Sequence, residues 1–223
     1  ISTTWTGTGN WTEGNAPGNS NWSNGSPGQM TSVIIIDAID IYENVSCDNL
    51  NIEPCGSLTI QYSGNLDIEE DLTINSDNQA LVSGSFIDLG TYSTGGISKY
   101  YRHIPDSGWH FLSSPIIPGS GFVTGDLVPD NGDAYMIAFN DGYDWGGYVA
   151  SEEMTFETMK GYSVWLTAPK TISIEGIFNT GEIEYLPLNE GNKFNLVGNP
   201  YPSAINWASN TGWTRNRISQ SIW

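Results

Sequence analysis

Between residues 32 and 89 the apolar side chains come in pairs two positions apart: Leu50/Ile52, Leu58/Ile60, Leu66/Ile68 and Leu72/Ile74, then Leu81 and Ile87/Leu89. Alternation at period two puts both members of a pair on one face of an extended strand. A longer recurrence constrains the fold further. Leu50/Ile52 returns 22 residues later as Leu72/Ile74, and Leu66/Ile68 returns 21 residues later as Ile87/Leu89. Three short strands per turn of about 21 residues is the repeat of a β-solenoid. Polar or Gly-containing corners separate the strands at Pro54-Cys55-Gly56, Ser63-Gly64, Ser76-Asp77-Asn78 and Ser83-Gly84. The competing arrangement is a meandering sandwich of short antiparallel strands. The solenoid makes a specific expectation: the Leu and Ile residues from Leu50 to Ile74 point into one interior, with Ile52 stacked near Ile74.

The second half carries aromatic strands, expected over 108–112, 134–139, 162–166, 171–174, 182–186 and 193–197 and separated by Gly, Pro and Asn turns. That pattern points to a β-sandwich or jelly roll. Stripes of 3.6-residue period are absent, so little helix is expected. Charge divides the chain at the same place. Residues 1–98 hold 12 acids and no base, whereas residues 99–223 hold 13 acids and all 7 bases, with a Thr94-Gly95-Gly96 break between them. The expected fold class is all-β, a short right-handed parallel β-solenoid followed by a sandwich-like module. The expected domains are 1–97 and 98–223.

A net charge of −18 argues against nucleic acid as a partner, since phosphate binding needs clustered Lys and Arg. No apolar run is long enough to span a bilayer as a helix, so no transmembrane segment is expected. The chain opens on Ile1 rather than Met and ends on the apolar Ser221-Ile222-Trp223. Those ends suggest a piece of something longer, with the second module running on past Trp223.

Ahead of the repeats lie Trp5-Thr6-Gly7, Asn10-Trp11, Asn21-Trp22-Ser23-Asn24-Gly25 and Ser26-Pro27-Gly28. A solenoid end exposes strand edges and an apolar cross-section that must be covered, and a Trp-rich segment suits that task. The alternative is a sugar-stacking platform of Trp5, Trp11 and Trp22, with Trp145 as a further ligand-binding aromatic. Solvent exposure of these rings and of Trp165 discriminates the two.

The W-T-G…N-W-S-N-G-x-P stretch running into Val33-Ile34-Ile35-Ile36, and the segment from Cys47 to Ile60, resemble the solenoid-forming segments of large secreted and surface proteins of the Bacteroidetes. Gly108-Trp109-His110-Phe111-Leu112 and above all Asn195-Leu196-Val197-Gly198-Asn199-Pro200-Tyr201-Pro202-Ser203 resemble a β-rich module of the same proteins. The resemblance implies cargo of the type IX secretion route, located outside the cell or on its outer surface. It supplies no catalytic residues, and the C-terminal sorting domain that directs such export is not in this sequence.

Cys47 and Cys55 are the only cysteines, and one disulfide between them is allowed in an exported protein. Against it, an extended Leu50-to-Glu53 segment would hold the two Cα atoms too far apart unless the chain turns. Asp130, Asp133, Asp141 and Asp144 on Gly-rich chain are candidate Ca²⁺ ligands, although they lack EF-hand spacing. No H-E-x-x-H, G-x-S-x-G or phosphate-cradling Gly loop is present, so no enzyme activity is expected. Three function classes follow. The first is a non-catalytic structural or adhesive segment that meets glycans, other surface proteins or its own copies through strand edges. The second is a carbohydrate-binding accessory module of a polysaccharide-degrading enzyme, marked by aromatics exposed in a row. The third is an enzyme with paired carboxylates in a pocket.

Overall fold

A computed structural model describes residues 1–11, 21–78, 82–127, 134–140, 144–149, 155–186 and 195–209. They are nearly all β. In chain order the first twelve strands are β1 (Ser2–Trp5), β2 (Gly9–Asn10), β3 (Ser32–Ile35), β4 (Ala38–Ile41), β5 (Asn44–Cys47), β6 (Leu50–Ile52), β7 (Ser57–Ile60), β8 (Asn65–Ile68), β9 (Leu72–Ile74), β10 (Ser85–Asp88), β11 (Thr91–Thr94) and β12 (Ser98–Ile104). They are followed by β13 (Gly108–Leu112), one short helix α1 (Thr124–Leu127), β14 (Ala134–Asn140), β15 (Asp144–Val149), β16 (Tyr162–Leu166) and β17 (Lys170–Gly176). No helix among the described residues is long and apolar enough to cross a membrane.

The first eleven strands are dealt in turn to three sheets. One runs β1-β3-β6-β9 and continues through β12 to β17, the second runs β2-β4-β7-β10, and the third β5-β8-β11. All pairs up to β9–β12 are parallel. Parallel pairing in register stacks like on like: Leu50 lies beside Leu72 and Ile52 beside Ile74. Strands β1, β3, β4 and β6 to β9 bury alternate residues, and Leu50, Ile52, Leu58, Ile60, Leu66, Ile68, Leu72 and Ile74 are all buried in one cluster. Burying a side chain of this size is worth about 1.5–3 kcal/mol, so this stack supplies much of what holds the first half together.

Outward positions carry polar ladders between successive turns. Thr91 Oγ1 donates to Asn65 Oδ1 at 2.7 Å, Ser93 Oγ to Asp67 Oδ1 at 2.6 Å, and Gln61 Nε2 to Asp40 Oδ1 at 2.8 Å.

One recurrence needs correction. Leu66 and Ile68 pair with Tyr92 and Thr94 rather than with Ile87 and Leu89. Phe86, not Ile87, pairs with Leu58 and points inward. The shift has a local cause: before β10, Asp77 N–H donates to the Val82 carbonyl and Ser76 bridges Ser83 antiparallel, which interrupts the parallel repeat. Residues 182–186, expected as a strand, form none. The alternation is there, but Leu186 is 77 % exposed and the segment pairs with no strand among the described residues. Of the strand expected over 193–197, residues 193 and 194 lie outside the described residues, and among 195–197 Val197 forms a β-bridge with Lys160.

The expected division at 97/98 falls at the start of β12. Ser98, Lys99 and Tyr100 of this strand pair in parallel with Leu72, Thr73 and Ile74, and the whole strand pairs antiparallel with β17. Phe86 contacts Phe178 at 6.3 Å between ring centroids and donates its N–H to the Pro202 carbonyl. Pro202 belongs to the Asn199-Pro200-Tyr201-Pro202 corner, which Asn179 anchors by donating from Nδ2 to the carbonyls of Ile116 and Pro200.

This junction leaves some polar atoms unpaired. Asp88 Oδ1, Tyr92 Oη and Ser98 Oγ are buried without a hydrogen bond, and Tyr92 Oη approaches Ser98 and the Phe178 backbone outside bonding geometry. Burial pushes the Asp88 carboxyl above its ordinary 3.8, against the bond from the Gly90 backbone that lowers it. The folded chain therefore holds this proton longer than the unfolded chain does. Stability falls as pH rises from the ordinary carboxylate range through the raised folded value. Asp88→Asn is expected to raise the thermal midpoint at pH 7, by the equivalent of ~0.5–1 kcal/mol for a half-exposed group, and to gain nothing at pH 3. A midpoint difference independent of pH would refute this assignment.

Candidate aromatic binding face

The N-terminal tryptophans are packed, not displayed. Trp5, Trp11 and Trp22 are 0, 3 and 3 % exposed. Trp22 meets both others edge to face, at 4.9 Å from Trp5 and 5.1 Å from Trp11. Trp5 Nε1 donates to the carbonyls of Gly7 and Ala38, and Trp22 Nε1 to that of Trp11. Trp5 and Trp22 are buried with their indole N–H groups paired, and Trp11 is buried as well, so these rings suit the cap rather than the platform of the two alternatives. Their position explains them instead. Residues 21–25 run antiparallel to β1, with Ser23 N–H donating to the Thr4 carbonyl and Thr6 N–H to that of Asn21, so the outer edge of the first sheet is covered.

Trp145 stands elsewhere, on a four-stranded antiparallel sheet in the order β13-β16-β14-β15. Alternation sorts its residues onto two faces. Leu112, Met136, Tyr162, Val164 and Leu166 are buried and face the core beside the stacked Phe122 and Phe156. The other face carries rings.

Trp109 pairs with Trp165, and Trp165 with Tyr135, so three aromatics form one rung across three adjacent strands. In the next rung Phe111 pairs with Ser163, and Ser163 with Ile137. Phe139 pairs with Trp145 beyond a register shift in β14–β15. Trp109 is 46 %, Phe111 67 %, Tyr135 47 % and Trp145 40 % exposed. Trp109 and Trp165 meet edge to face at 5.6 Å, and Phe139 meets Trp145 edge to face at 5.2 Å. Phe111 and Trp145 come from the two edge strands, yet their rings lie 6.1 Å apart and nearly parallel at 3°. The rings thus lean together over the middle strands, where Ser163 is buried.

An exposed cluster of large aromatic rings on a sheet face combines large contact area with low side-chain entropy, the properties that favour a contact surface. In the sequence Trp145 and Trp165 stand out as candidate exposed aromatics, whereas Trp109, Phe111, Tyr135 and Phe139 figure only as residues of expected strands. Their alternation within Gly108-Trp109-His110-Phe111-Leu112 and Tyr135-Met136-Ile137-Ala138-Phe139 was the available signal.

The remaining candidates are placed as follows. Asp130, Asp133 and Asp141 lie outside the described residues, and Asp144 opens β15 opposite Asn140. Among the described residues no group of His, Cys, Asp and Glu could hold a metal ion. A groove of about 420 Å³ beside β5 is lined by Trp11, Ser26, Pro27, Asn44, Ser46 and Asp67 among others. Asp67 is the one carboxylate among its described lining residues.

Cys47 and Cys55 are both free, so the allowed disulfide is not formed. Cys47 is buried on β5 beside Ile68, while Cys55 is exposed on a turn with φ of 72°. Burial, reinforced by Asp48 and Asp67, pushes the Cys47 thiol up to about 12. Reactivity follows the thiolate and its access, so a colorimetric disulfide reagent is expected to titrate Cys55 alone in the native chain and both thiols in denaturant. Two fast thiols under native conditions would contradict this placement.

No curated protein and no solved structure matches the chain. One family model does, and its match runs from residue 1 to residue 223, taking in both the parallel sheets and the aromatic face. The chain therefore belongs to the family described as Domain of unknown function (DUF8693).

Proposed function

We propose that the chain is a non-catalytic structural and adhesive segment of a larger secreted or surface-attached bacterial protein. In this reading the three parallel sheets are a short right-handed β-solenoid that serves as a rigid spacer. The four-stranded sheet is part of a sandwich-like module that presents the contact surface. The rotation of the chain through three sheets, with like residues stacked turn on turn, supports the solenoid. The resemblance to type IX secretion cargo of the Bacteroidetes supports an extracellular or outer-surface location. One observation carries the functional part: Trp109, Phe111, Tyr135 and Trp145 stand exposed on one sheet face, where burying them against a partner is the favourable step still open to them.

The second reading, a carbohydrate-binding accessory module of a polysaccharide-degrading enzyme, draws on the same face, because its rings stand in a row. Both readings assign the face to contact and differ in the parent protein. The test is to present the purified chain to a glycan array, to matrix proteins and to itself. Binding or assembly without product release is expected, and Trp109→Ala combined with Trp145→Ala should abolish it. Turnover of a substrate that is lost on replacing one pair of carboxylates would overturn the proposal.

A further inference from the structure

We infer that the Trp109–Trp165–Tyr135 rung takes an extended, uncharged polysaccharide lying across the strands, with its pyranose faces packed on the exposed rings at the two ends of the rung. The inference rests on the reading of this face as the contact surface, and it names the partner. Three features of the face favour such a polymer.

The first is spacing. The three residues occupy directly paired positions on β13, β16 and β14, so their backbone attachments advance by one strand at a time. At about 4.8 Å per strand, the exposed Trp109 and Tyr135 stand roughly 9.6 Å apart, close to the span of two pyranose units in an extended chain. A linear polymer meets an exposed ring at every second sugar, while a folded protein partner has no reason to follow that repeat.

The second is chemistry. A pyranose has an apolar C–H face and a rim of hydroxyls. The C–H face packs on an aromatic ring, whose π surface is negative, and the rim stays in water or meets neutral hydrogen-bonding groups. Trp109 and Tyr135, at the two ends of the rung, are each nearly half exposed, with Trp165 between them as the floor. The Tyr135 hydroxyl and the Trp indoles add polar edges suited to that rim.

The third is charge. None of the rung residues is ionisable near neutral pH, and no Lys or Arg lies on β13, β14, β15 or β16. The chain as a whole carries −18, which repels an acidic polymer. An uncharged chain meets the face without that repulsion and without stripping water from an ion.

The experiment is affinity electrophoresis of the full chain in native gels containing hydroxyethylcellulose, galactomannan or laminarin, with alginate as the acidic polymer. Retardation by at least one uncharged polymer and none by alginate is expected. Trp109→Ala and Tyr135→Ala should each weaken the apparent affinity about tenfold, the equivalent of ~1.4 kcal/mol. Trp109→Phe, which keeps a ring, should retain most of it, and Trp145→Ala, which lies off the rung, should cost less than Trp109→Ala. Matching thermal midpoints establish that the variants are folded. Lack of retardation by all three uncharged polymers, equal retardation by alginate, or retardation indifferent to Trp109→Ala would overturn the inference. If the face binds a protein or a second copy of the chain and no polysaccharide, the contact-surface reading stands and this inference falls. If Trp109→Ala with Trp145→Ala alters no binding of any kind, both fall.

Discussion

Trp5→Ala is expected to lower folding stability by about 3–5 kcal/mol, a large share of what a domain of this size has to lose. The indole is fully buried, both Gly7 and Ala38 accept from its Nε1 at 2.9 and 3.2 Å, and its ring is one wall of the Trp22 contact. Removing it empties a ring-sized volume and strands two carbonyls. It also loosens the segment at Trp22 that covers the edge of β1. Urea unfolding should show a lower midpoint, and Trp5→Phe should recover part of the packing but neither hydrogen bond. A midpoint within about 0.5 kcal/mol of the parent would mean that the N-terminal tryptophans are not structural.

Gly90→Ala tests the stacking of successive turns. A methyl group there would strike the Gly64 carbonyl of the turn below, and one on Gly64 would in turn strike the Ile41 carbonyl. Neither glycine has a left-handed backbone, so the cost is contact alone. With backbone rather than a flexible side chain in the way, a loss of about 3 kcal/mol is expected. Gly28 is the control: nothing lies within 4 Å of a methyl group there and its φ is unremarkable, so Gly28→Ala should be neutral or stabilise by about 0.4–1 kcal/mol. Equal effects at the two sites in denaturant titrations would contradict the stacked arrangement of corners.

The interior of the first half was legible because its code is local. Leu-x-Ile at period two fixes which side chains share a face, and its return at Leu72/Ile74 matched the observed pairing with Leu50/Ile52. It failed at the next turn, where the antiparallel Ser76–Ser83 bridge interrupts the repeat and where Phe86 and Tyr92 replace the aliphatic pair, so a fixed repeat length misassigned the partners. The aromatic face was half legible for a different reason. Alternation in Gly108-Trp109-His110-Phe111-Leu112 places Trp109 and Phe111 together, but a strand has two faces, and which one meets the core depends on what packs there. Phe122 and Phe156, stacked on each other with Phe156 against Tyr162 of β16, decide that question from distant positions in the chain. The same dependence explains the N-terminus, where Trp5, Trp11 and Trp22 look alike in sequence to Trp109 and Trp145 but are buried.

Everything proposed for function depends on that sorting of tryptophans, and hydroxyl-radical footprinting read by mass spectrometry measures it residue by residue. In the native chain Trp109 and Trp145 are expected to oxidise readily while Trp5, Trp11 and Trp22 stay protected until the chain unfolds. Addition of a polysaccharide that retards the chain should then protect Trp109. Oxidation of Trp5, Trp11 and Trp22 at the rate of Trp109, or a Trp109 already protected in the free chain, would contradict the account.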